Sequence, residues 1–132
     1  CGLKSKNTGH PDVAMNQEEI KQRTKQFALR AMKVAGALPK SFAGQVVGGQ
    51  LVRAGTSVGA NYRAACRARS PAEFLAKLGI VEEEADECVY WMELIAESGL
   101  MPSPRIQALL QEANELTAII AASIRTARQN IK

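Results

Sequence analysis

LVRAGTSVGANYRAACRARSPAEF, residues 51–74, decides how this chain is read, because it sets four arginines on short helical spacing beside a helix-start signal. At 100° per residue, Arg53, Arg63 and Arg67 fall within about 80° of one another, so a continuous helix presents them as one cationic stripe. Ser70, Pro71 and Glu73 then supply a cap hydroxyl, a proline at the first helical position and a carboxylate placed to reach back to the cap's amide. One helix ends and another begins there, and the expected fold is all-α.

Upstream of the stripe, the second helix is expected from about Ala43 to Ala68, burying Val47, Leu51, Ala54, Val58 and Ala65. Gly44, Gly48, Gly49, Gly55 and Gly59 each weaken an isolated helix by about 1 kcal/mol, so tertiary packing must hold it. A strand or a glycine-rich loop is the rival reading. GTSVGAN lacks the GxxxxGK[ST] order of a phosphate-cradling loop. The small residues from Gly55 to Ala60 read instead as a close-packing seam, with Thr56 and Ser57 bonding back to the preceding turn.

The clearest period lies downstream. Phe74, Leu78, Val81, Ala85, Cys88, Met92 and Ile95 alternate spacings of four and three, the seam of a helical bundle. Glutamates and Asp86 cover much of the remaining surface, and Gly99 is placed to close this third helix in the left-handed conformation. Ser103 and Pro104 start a fourth, in which Ile106, Leu109, Ala113, Leu116 and Ile120 follow the heptad. Leu110, Ile119 and Ile124 widen its apolar stripe beyond what a simple bundle buries, which marks them as interface candidates. Trp91, one residue before the seam position Met92, belongs with Leu94 and Glu87 on a helix flank; an interface role is favoured over stacking on a base. The first helix, about Glu18 to Leu38, carries Ile20, Phe27, Ala31 and Val34 on one face and stops at Pro39. The expected architecture is an antiparallel four-helix bundle over residues 15–132, preceded by a flexible tail or leader at 1–14.

Composition agrees. A chain of 132 residues with 46% hydrophobic and only 5% aromatic content fits one aliphatic, alanine-rich helical domain. Three cysteines, Cys1, Cys66 and Cys88, are an odd number without CxxC spacing, so reduced, inert thiols in a cytoplasmic protein are expected. No apolar run is long enough to span a bilayer. The only histidine, His10, falls in the tail and is a poor ligand or base. Charge is segregated: residues 1–69 hold 12 Lys/Arg against 3 Asp/Glu, and residues 70–104 hold 1 against 8. Such blocks pair within a bundle, join subunits, or leave a basic face for polyanions.

Three stretches, FALRAMKVAGALPK (27–40), QLVRAGTSVGANYRAACRARS (50–70) and EFLAKLGIVEEEADECVYWMELI (73–95), resemble the small four-helix-bundle proteins encoded within intervening sequences of bacterial large-subunit ribosomal RNA genes. The likeness covers roughly residues 15 to 125, and MNQEE (15–19) resembles the usual start. It implies a cytoplasmic bacterial bundle that assembles as a homo-oligomer, commonly a pentamer, with no established enzymatic activity. The accessory protein of diversity-generating retroelements is distantly similar and binds nucleic acid with a reverse transcriptase.

Catalysis is the weakest functional class. Outside the tail there is no Ser-His or Cys-His arrangement, no nucleotide fingerprint, no Glu-x-x-His pair for a bundle metal site, and hence no cofactor to expect. The favoured reading is binding of RNA or DNA backbone through Arg53, Arg63, Arg67 and Arg69, with Lys33 and Lys40 as outlying contacts. Its rival is a homo-oligomeric module, with or without a partner protein, whose arginines form structural salt bridges.

Overall fold

The computed structural model describes residues 15–131. The proposed tail, with Cys1 and His10, lies outside the described residues. Four helices run α1 Gln17–Ala37, α2 Phe42–Cys66, α3 Pro71–Ser98 and α4 Ser103–Ile131, and among the described residues there is no strand. Each helix packs on its neighbour in sequence, and α4 returns to α1 along a looser seam, giving an up-down-up-down bundle. No helix is long and apolar enough to cross a membrane.

Local chemistry sets the ends. Asn16 caps α1 by a reciprocal box: its Oδ1 accepts from the Glu19 amide at 2.8 Å, and its own amide donates to Glu19 Oε1 at 3.1 Å. Leu38 is extended, at φ −74° and ψ 156°, as the residue before Pro39 must be to avoid the ring. Ser41 Oγ caps α2 and Ser70 Oγ caps α3, each accepting the amide three residues on at 3.1 Å. Glu73 reaches one residue further back than the spacing predicts, accepting the Arg69 amide at 3.1 Å instead of that of Ser70. Gly99 ends α3 at φ 80°.

The core holds the expected heptad positions of α3 and α4 together with Phe27, Ala31, Leu51, Ala54 and Val58. The glycine-rich helix stays continuous because four of its glycines are packing surfaces. A Cβ at Gly55 would lie 2.9 Å from Ala31 Cβ, one at Gly48 3.3 Å from Leu38 Cδ1, and one at Gly59 3.2 Å from Thr24 Oγ1. At Gly44 it would lie 2.1 Å from the Pro39 carbonyl oxygen. The rival strand or loop is thereby excluded. Thr56 Oγ1 donates back to the Val52 carbonyl at 2.8 Å as expected, whereas the Ser57 hydroxyl accepts from Asn61 Nδ2 at 3.1 Å.

Candidate nucleic-acid interface

The cations sort into engaged and free. Arg53, placed in the stripe by its spacing, leans across to α3: Nη1 meets Glu84 Oε1 at 3.2 Å, Nη2 pairs with Glu87, and Nε donates to Gln50 Oε1 at 2.9 Å. Glu87 also accepts from Trp91 Nε1 at 2.9 Å, which fixes the indole on the flank where Glu87 and Leu94 lie. Arg53 therefore does not stand free in the stripe; acidic residues one turn apart on the facing helix draw it in. The pair is exposed enough to contribute little, about 0–1 kcal/mol. Arg63, Arg67 and Arg69 are exposed and, among the described residues, form no ion pair.

The α1–α2 register shows which other cations share that end. Thr24 sits on Gly59, so Lys25 is level with the turns carrying Ala60 and Arg63. Lys25 is exposed, and only knowledge of the register could have added it to the candidates. Lys33 and Lys40 are exposed but stand toward the opposite end, by the α1–α2 turn, about 25 Å and about 35 Å along the bundle from Arg67. They do not join the arginines in one patch.

Arg23 was the arginine whose role the spacing did not reveal. From α1 it forks onto Glu112 of α4 with Nε at 2.7 Å and Nη2 at 2.8 Å, and reaches Glu115 at 2.6 Å. Glu112 bonding raises the affinity of this half-buried guanidinium for its proton above the ordinary arginine value. It clasps the loosest seam of the bundle.

The fourth-helix interface candidates are largely used within the subunit. Ile124, 7% exposed, belongs to the core, on a helix that packs against α3 and α1. Leu110 and Ile119 pack half-buried against the core. Ile119 also lines an open cavity of about 560 Å³ with Ile20, Tyr62, Cys66 and Phe74. Burial, then the neighbouring Cys66, push the Tyr62 hydroxyl up from its ordinary value. Burial, then Glu84 and Glu87, push the Cys88 thiol up to about 12. Among the described residues no three His, Cys, Asp or Glu side chains converge as metal ligands would. The large exposed apolar residues lie elsewhere: Leu29 and Met32 on α1, Phe42 and Val46 on α2, Ile80 and Tyr90 on α3.

These features define a small all-α bundle with, among the described residues, a basic end whose arginines form no ion pair and large exposed apolar side chains on α1, α2 and α3. The chain belongs to the 23S rRNA-intervening sequence protein family, whose model matches residues 16–122. Among solved structures it is similar to a protein of unknown function from the S23 ribosomal protein family of Bacteroides thetaiotaomicron VPI-5482, at 30% identity and a TM-score of 0.78, with 84% of this chain and 99% of that one covered. No curated protein matches. Neither the family nor this neighbour is described by an enzymatic activity.

Proposed function

We propose that this protein is a non-catalytic, homo-oligomeric bundle, with five subunits the leading count, that binds the RNA or DNA backbone through Arg63, Arg67 and Arg69. The supporting observation is the sorting of its arginines. Arg23 and Arg53 are taken up by carboxylates of neighbouring helices, whereas the three at the end of α2 stay exposed and unpaired among the described residues. Guanidinium groups so placed contact phosphate without reading bases, and each subunit added to a ring repeats the contact.

Binding to a structured RNA, followed by fluorescence anisotropy across a salt series, tests this reading. Affinity falls steeply with salt, and Arg63→Gln with Arg67→Gln weakens binding to all sequences alike while lowering the salt slope by roughly one per lost contact. Arg53→Gln leaves binding unchanged. Undetectable binding at low salt, or binding indifferent to the double substitution, overturns it. The second reading, a module for protein–protein contact, is favoured by the exposed apolar residues of α1, α2 and α3.

A further inference from the structure

Phe42 is 84% exposed, and on a helical wheel Phe42, Val46 and Gly49 point directly away from the buried stripe of α2. Leu29 and Gly36 do the same on α1. Between the two helices runs a shallow groove of about 410 Å³, walled by Met32, Gln45 and Val52 and floored in part by Gly36 and Gly49. Lys40 lines its end and Lys33 follows Met32 on α1; both are exposed and unpaired among the described residues. The outer face of α3 has the opposite character. Ile80 stands out beside Gly79 and Tyr90 about three turns further on, with exposed Glu83, Asp86 and Glu93 on the same helix, which are also unpaired among the described residues.

Glycines link the two faces. Gly44, Gly48, Gly55 and Gly59 each touch a neighbouring helix or turn, but a Cβ at Gly36, Gly49 or Gly79 would meet nothing within 4 Å. Gly49 and Gly79 lie inside their helices, where a glycine with no neighbour weakens the helix without packing in return, and Gly36 lies in the last turn of α1. All three sit on the outward apolar faces, where they would let a second backbone approach as closely as α1 approaches α2.

We infer that the α1–α2 groove receives the outer face of α3 from a second copy of this chain. Apolar surface meets apolar surface, and the lysine rim meets the acidic flank. Because the two faces are different and lie on different helices, the contact is head-to-tail, so it closes into a ring or extends. This rests on the homo-oligomer part of the proposed function and moves its interface from α4 to α1–α2 and α3; it is independent of RNA binding.

Two substitutions test it by light scattering on the nucleic-acid-free protein, with circular dichroism confirming folded helices. Val52→Glu, on the groove wall, spoils the groove by opposing the acidic flank, and Ile80→Arg spoils the α3 face by opposing the lysine rim. Wild type runs as a multimer and each variant as a 14.2 kDa chain. Mixed in equal amounts, the variants form a dimer and stop, because one intact groove meets one intact α3 face while the other junction is blocked. A monomeric wild type overturns the oligomer reading as well. Variants that stay multimeric overturn only the placement of the interface, and monomeric variants that fail to pair overturn the head-to-tail junction.

Discussion

The glycines on the inner side of the α1–α2 seam and those on the outer faces have the same local cost but opposite surroundings. Gly44, Gly48, Gly55 and Gly59 are in contact with α1 or the turn that precedes α2, and the helices come close because no side chain holds them apart. Gly36, Gly49 and Gly79 face open space. Each helix-interior glycine gives up about 1 kcal/mol relative to alanine. On the inner side, packing within the subunit offsets that; on the outer faces nothing among the described residues does. The difference distinguishes glycines that explain the fold from glycines that call for something outside it.

The comparison breaks most visibly at Gly44. An alanine methyl there would collide with the Pro39 carbonyl at 2.1 Å, and a backbone atom in a tight turn has nowhere to move. Gly44→Ala is expected to cost about 3 kcal/mol or more, read as a drop in the thermal midpoint. Gly55→Ala is milder. Its methyl would meet Ala31 Cβ at 2.9 Å, forcing the helices apart by a fraction of an ångström, and helix propensity returns part of the loss, leaving about 1–2 kcal/mol. Ala31→Gly in the same molecule should restore much of it. If the double variant is no better than the single one, the contact is not what fixes the seam.

The α1–α4 seam packs more loosely and relies on a charge instead. Arg23→Ala leaves Glu112, 15% exposed, without its fork, and is expected to cost about 1–2 kcal/mol in denaturant unfolding, below the figure for a fully buried pair because the group is partly wet. Behind the glycine seam, Cys88 Sγ lies 4.0 Å from the Cβ position of Gly55. Its thiol, pushed up to about 12, stays protonated in the folded chain while an unfolded one ionises near 8.5. The folded state then binds more protons across that window, so stability is nearly constant well below pH 8.5 and falls as pH rises toward 12, by about 1.4 kcal/mol at pH 9.5 from this group. Cys88→Ser, whose hydroxyl does not titrate, should remove that part of the alkaline slope.

Much of this fold could be read from the sequence. The heptads of α3 and α4, Pro39, the Ser70-Pro71 start and Gly99 each act through local chemistry, and the helices end within two residues of where those signals put them. The site was less legible. Helical spacing could place Arg53, Arg63 and Arg67 on one stripe, but which of them meets a carboxylate depends on how α2 is registered against α3. Lys25 joins the basic end, and Arg23 reaches Glu112, for the same kind of reason. The apolar width of α4 was real, yet Ile124 faces inward, since width alone does not say which flank a neighbour covers. Phe42, the first residue of α2, has no periodic signal to declare it exposed.

The smallest effect separates the two glycine classes most cleanly. In the Val52→Glu background, where the groove is spoiled, Gly49→Ala adds a methyl to an exposed helix position with nothing within 4 Å, so the gain in helix propensity is unopposed. The subunit should become more stable by about 0.5–1 kcal/mol, with Gly79→Ala behaving alike. In the wild type, the proposed contact puts the same methyl where a second backbone approaches, and the multimer should then dissociate at higher protein concentration than before. A gain in both states would mean that the outer glycines serve no contact. A loss in the monomeric background would mean that something within the chain fills the space around Gly49, and the two classes of glycine would then be one.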